Sequence, residues 1–149
     1  MRFLSLSRPW PWAIFDMPEP LAKRCENRSW FPSQLGRIAL HAAKSKDENA
    51  FSFFISLGID DCPGRWDLHP EGVIVGVATI VGIADKPEDL AEDQRRWFFT
   101  ERADKKKNYG WILDDVVKLA TPIAFRGAQG LRELPPLENA QVTKQLRAA

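Results

Sequence analysis

At 149 residues the chain is long enough for one domain with a real core and little more. Its 21 basic and 20 acidic residues leave a formal net charge of +1, which excludes polybasic binding by bulk charge, so any nucleic-acid contact must be a local basic groove. Six tryptophans leave several for a surface platform, while Cys25, Cys62, His41 and His69 lack metal-ligand spacing, so no metal or other cofactor is expected.

Phe3 to Ser7 suits a short strand that Pro9 ends, and Trp12 to Met17 suits a short helix stopped by Pro18 and Pro20. The segment Met1 to Phe15 is apolar but broken by Arg8, Pro9 and Pro11, unlike the apolar core of a signal peptide. Arg24 to Trp30 and Arg37 to Ala43 read as strands. Lys46 to Gly58 reads as a helix, with Asp47 at its N-cap and Gly58 closing it. Ile59 to Glu71 is a loop. Val73 to Ala84 is the strongest strand, long and rich in β-branched residues, and too short to span a bilayer. A soluble, cytoplasmic protein without a membrane partner is expected. Pro87 to Glu92 is an acidic turn or helix start, Arg96 to Thr100 a strand candidate, and Arg102 to Asn108 a charged loop. Tyr109 to Leu113 is a strand, continued by Val116 to Ala124 after a bulge at Asp114-Asp115. Arg126 to Leu131 is a glycine-flanked turn with a short helix, and the last fifteen residues look polar and loosely attached. About five or six strands, two or three short helices and no βαβ alternation predict an α+β, mostly β, small mixed barrel.

Within this pattern, Lys23-x-x-Glu26-x-Arg28 resembles the core of the ASCH-domain signature, Gly-x-Lys-x-x-Glu-x-Arg, with Leu21 standing where the signature has glycine. Arg8-Pro9-Trp10, Ile38 to Lys44, Val75-Gly76, Tyr109-Gly110-Trp111 and Arg126-Gly127-x-x-Gly130-Leu131 are similar to that family in the same order. The resemblance implies a PUA-like β-barrel over residues 1–132, with a helix plugging one side and a cleft between helix and barrel. Residues 133–149 are then a polar C-terminal tail. It also implies binding of RNA or other nucleic acid. Some members resemble ribonucleases, and a small subgroup hydrolyses acylated cytidine-type nucleosides with a lysine.

Glu26 and Arg28 stand two apart in a strand and share a face, as a cleft pair or a surface salt bridge, while Asn27 and Ser29 face away. Lys23 has three available roles: phosphate ligand, nucleophile, or base. The alternation of Ile38, Leu40 and Ala42 carries Lys44 to the apolar side at the barrel mouth, where it lines a cleft or snorkels outward. His41 falls on the opposite face and reads as structural. Small residues at Gly76, Ala78, Gly82 and Ala84 share one face with Ile74 and Ile80 and invite a helix to pack closely. Trp10 and Tyr109 are the leading stacking candidates, ahead of Trp12, Trp30 and Trp111. Arg126 either meets phosphate or stabilises its own turn.

The favoured reading is a cleft that binds RNA or another single-stranded nucleic acid, or a nucleotide. Arg8, Lys23, Arg28, Lys44 and Arg126 hold phosphate, Trp10 and Tyr109 stack, and Glu26 orients a lysine or reads a base edge. The alternatives are a metal-independent ribonuclease or nucleoside amide hydrolase with Lys23 and Glu26 as catalytic residues, and a reader of one modified base or small nucleotide.

Overall fold

The computed structural model describes residues 1–149. β1, Arg2–Arg8, runs into a one-and-a-half-turn helix, α1, Trp10–Phe15. This helix starts and stops two residues before the expected span, because Trp12 N–H already bonds the Pro9 carbonyl at 2.9 Å. β2, Cys25–Arg28, is shorter than expected, since only these four residues have partners on the neighbouring strand. β3, Gly36–Lys46, outruns its expected end, so the helix expected from Lys46 begins only at Ala50 as α2, Ala50–Ser56. Asp47 is not its N-cap; its carboxylate instead takes the Asn49 N–H at 3.1 Å and the Trp10 indole N–H at 2.9 Å. β4, Val73–Ala84, matches its expected span. β5, Tyr109–Ala124, is one long strand with a bulge where Asp115 turns to φ 47°.

The six strands form one mixed sheet in the order β2-β5-β4-β3-β1-β6, where β6 is Arg132–Glu133. Only β1 and β3 run parallel. The sheet curls without closing. β6 covers just Arg2 and Phe3 of β1, and a side chain crosses the remaining gap to β2: Arg28 Nη2 donates to the Ser5 carbonyl at 3.2 Å. This is the mostly-β α+β architecture expected of a PUA-like barrel.

Alternation sorts the sheet into two apolar faces. Leu4, Leu40, Ile80 and Trp111 lie on one, joined by Ile14 from α1. Phe3, Ala39, Val77 and Leu119 lie on the other. Ile74 joins this second face rather than the first, because the register slips between Ile74 and Gly76. The close approach expected at β4 does occur. A Cβ on Gly76 would stand 2.5 Å from the Val117 carbonyl oxygen and as near the Phe15 ring of α1, so only glycine lets that helix settle.

Three expectations give way. Arg96 to Thr100 is not a strand: Glu92–Trp97 forms a 3₁₀ turn, and Trp97 buries completely with its indole N–H on the Leu21 carbonyl. Arg126 to Leu131 carries no helix, only a turn with Gly130 at φ 81°. The last fifteen residues are not loose. They form α3, Pro136–Ala148, which buries Val142 against the second face. Gln145 fixes the helix further, accepting the Thr121 N–H at 3.1 Å and donating to the Thr121 carbonyl at 2.7 Å. No helix is long and apolar enough to cross a membrane.

Candidate functional site

The loop before β2 is clamped by four hydrogen bonds, which fix the pose of Lys23. Lys23 N–H bonds the Ala13 carbonyl of α1 at 2.9 Å. Gln94 accepts the Arg24 N–H at 2.8 Å and donates to the Pro20 and Ala22 carbonyls at 3.1 and 2.8 Å. Leu21, in the glycine position of the motif, needs no left-handed backbone, because Lys105 and Asp115 are the only non-glycine residues with positive φ.

Lys23, Glu26 and Arg28 then form a linked charge triad. Lys23 is 1% exposed and donates through Nζ to Glu26 Oε1 at 3.0 Å. Arg28 Nε donates to Glu26 Oε2 at 2.9 Å. Burial alone would raise the Glu26 pKa. The positive charges of Lys23 and Arg28, and their hydrogen bonds, outweigh it and hold the carboxyl below its ordinary 4.5. Lys23 Nζ also lies 5.5 Å from the centre of the Trp10 ring. Sequence alternation therefore placed Glu26 and Arg28 on one face correctly, and Lys23 joins them.

Two recesses meet at Ser7 and Arg28, which line both. The smaller, about 480 Å³, contains Trp10, Lys23 and Glu26, and its lining mixes the carboxylates of Asp47, Glu101 and Asp104 with the Arg102 guanidinium, which pairs with Asp104 at 2.9 Å. The larger, about 1050 Å³, has three cations, Arg28, Lys44 and Arg126, and no carboxylate among its fifteen lining residues. Lys44 and Arg126 are exposed. Cations and carboxylates nearly balance in the smaller recess, whereas the larger is positive and the better match for phosphate.

His41 lies beneath the larger recess and is structural. A carbonyl only accepts, so His41 Nε2 donates to the Phe125 carbonyl at 2.7 Å, and Nδ1 accepts from Ser5 Oγ at 2.9 Å. Burial lowers its pKa below 6.5, with the Phe125 carbonyl opposing. A Cβ on Gly127 would collide with both Ser5 Oγ and the His41 ring, so the histidine fixes the 125–130 loop at close range.

Two expected site residues stand apart. Arg8 is 6% exposed and lines neither recess. Its guanidinium reaches Glu71 at 3.0 Å and the carbonyls of Lys44 and Trp66 at 2.7 and 3.2 Å, tying β1 to the 66–71 segment. Its position beside Pro9 concealed this, because the partners are distant in sequence. Tyr109 also lines neither recess; it packs edge-on to Phe31 at 4.6 Å. Trp10 walls the smaller recess while packing on Phe54 and Phe99. Trp30 lines the larger recess and packs on Trp111 at 4.9 Å.

Asn27 was the residue missed. Facing away from the triad, it donates to the Trp97 carbonyl at 2.9 Å and accepts from Phe99 N–H and Asn108 Nδ2 at 2.9 and 2.8 Å. It holds the 97–108 segment that supplies Phe99, Glu101 and Arg102 to the smaller recess. The Asn-Arg-Ser sequence gives no sign of that long-range bonding.

No family model and no curated protein matches the chain. Solved structures do. ASCH from Zymomonas mobilis is 18% identical, over 96% of this chain and 93% of that one, with a TM-score of 0.54. A tyrosine-to-phenylalanine variant of that protein is 19% identical over 96% of each chain, and a serine-to-alanine variant 18% identical over 96% and 94%, both with a TM-score of 0.56. The chain has the ASCH-domain fold.

Proposed function

We propose that this protein binds RNA or another single-stranded nucleic acid, with backbone phosphate in the larger recess and a base at the smaller. The observation that carries the reading is the contrast between adjoining recesses: three cations without a carboxylate in one, a buried Lys23–Glu26–Arg28 triad in a lining of nearly balanced charge in the other. Arg28 spans both, as a residue between a base and its phosphate would. The near-zero net charge fits a local track with few phosphate contacts. The likeness to ASCH structures is compatible with the reading at the level of fold.

The triad favours recognition over chemistry. Both Glu26 oxygens are committed, and the carboxyl is held ionised, so it is poorly placed to donate or take a proton at neutral pH.

The test is fluorescence anisotropy of labelled single-stranded RNA against salt, for the wild type and Lys44→Ala/Arg126→Ala. Two lost phosphate contacts should reduce the slope of log K against log salt by about 1.4, using roughly 0.7 per phosphate for single strands. An unchanged slope rejects the larger recess as the phosphate track. The same samples run on a gel with EDTA and with Mg²⁺; cleavage that Lys23→Ala abolishes would replace this reading with the ribonuclease one.

A further inference from the structure

The groove has an exposed aromatic outpost that neither recess includes. Phe31 is 61% exposed, although it follows Trp30, whose ring is packed on Trp111. Its ring meets Tyr109 edge-on, with centroids 4.6 Å apart and planes at 62°. Lys107 Nζ sits 5.2 Å from the centre of the Tyr109 ring. Tyr109 is therefore flanked by both a ring and an ammonium group. Phe31 is left with the open surface. An isolated exposed phenylalanine needs no explanation. This one is braced by a second ring, and that ring has the exposed Lys107 on its other side.

The outpost is continuous with the groove. Tyr109 is the ladder partner of Arg28, the residue common to both recesses. Directly opposed residues of antiparallel strands project to the same face, with Cα atoms about 5 Å apart. A strand held at Arg28 thus arrives next to the Phe31 ring.

We infer that Phe31, braced by Tyr109 beside Lys107, is a second base-stacking site that makes the ligand a strand of several nucleotides rather than a single nucleotide. This rests on the nucleic-acid reading above. Aromatic rings accept any base, and the Lys107 ammonium by the Tyr109 ring is a partner for an adjoining phosphate. Tyr109, the ring that sequence favoured for stacking, acts here as the brace.

The test measures anisotropy with labelled oligouridylates of two, four, eight and twelve nucleotides, and with uridine monophosphate as competitor. The proteins are wild type, Phe31→Ala and Phe31→Trp. Wild-type affinity should rise from the dimer to the octamer. Phe31→Ala should weaken octamer binding about tenfold, the scale of one lost stack, leave the dimer unchanged and melt like wild type. Phe31→Trp should restore octamer binding. If wild type binds the octamer and Phe31→Ala binds it equally well, the second stacking site is refuted and the groove reading survives. Competition by the monophosphate as strong as by the octamer also refutes it, in favour of a one-nucleotide reader. If wild type binds no length, both readings fall.

Discussion

Replacing Glu26 with glutamine tests whether the triad is a buried charge network or a solvated pair. The substitution keeps the shape and removes the negative charge. Arg28, with a side chain 23% exposed, can turn to water and keeps the Ser5 carbonyl. Lys23 cannot: it is 1% exposed, and Glu26 is its only acidic partner. Stranding one member of a buried pair costs about 3–5 kcal/mol, a large share of the ~5–15 kcal/mol that holds a domain folded. For a chain of this size that lowers Tm by roughly 6–20 °C. Lys23→Met should cost less, because Glu26 keeps Arg28, and the double variant should be more stable than Glu26→Gln alone. The pH profile gives a second reading. The folded pKa of Glu26 lies below 4.5, so its stabilising contribution is fully present above that value and is lost as pH falls through the folded pKa. Chemical denaturation between pH 7 and 2.5 should show that loss in wild type and a shallower one in Glu26→Gln. Strictly additive single variants, or identical acid profiles, would refute the buried network.

Three further outcomes follow from packing. Gly76→Ala places a methyl against the Val117 carbonyl and the Phe15 ring, and should cost about 1–3 kcal/mol by urea denaturation, whereas Gly82→Ala, whose nearest neighbour is the tip of Ile112 at 3.7 Å, should be far milder. Asn27→Ala strands the Phe99 N–H and the Trp97 carbonyl. It should cost about 2–4 kcal/mol and raise amide exchange across 97–108 more than elsewhere. Val142→Ala should cost about 2 kcal/mol, which a loosely held tail would not register.

Legibility followed the range of the interactions. β4 was readable end to end because its β-branched run is a local property, and the bulge at Asp114-Asp115 was readable because two adjacent polar residues interrupt an apolar alternation. Helix α3 was hidden: its only fully buried residue is Val142, so the 3.6-residue apolar stripe is almost absent, and its polar attachments, Gln145 to Thr121 and Asn139 to the Met1 amino group, are long-range. Arg96 to Thr100 misled for the opposite reason. Its aromatic run has strand composition, but Trp97 and Phe98 are used to build a separate apolar cluster with Phe54 and Met17. In the site, Glu26 and Arg28 could be placed from spacing because they share one strand, and Lys23 came with them only through the resemblance of the motif. Arg8 and Tyr109 could not, because their neighbours, Glu71 and Phe31, lie 63 and 78 residues away in the chain.

Arg28 joins the barrel seam to both recesses, and Arg28→Lys separates its charge from its shape. The guanidinium holds two groups at once, Glu26 Oε2 through Nε and Nη2, each at 2.9 Å, and the Ser5 carbonyl through Nη2 at 3.2 Å, the latter crossing the gap the sheet leaves open. A lysine keeps the cation but has one compact head, which cannot hold both. If the ammonium stays with Glu26, the seam between β1 and β2 loses its bridge. If it reaches Ser5, the carboxylate keeps only Lys23. Either way one hydrogen bond involving a charged group goes, a loss of about 1.5–3 kcal/mol. RNA affinity should fall as well, although net charge is unchanged, because the same fork links the two recesses. Wild-type stability and affinity in Arg28→Lys would mean that only a positive charge is needed here, and the coupling of barrel seam to binding groove through one side chain would be wrong.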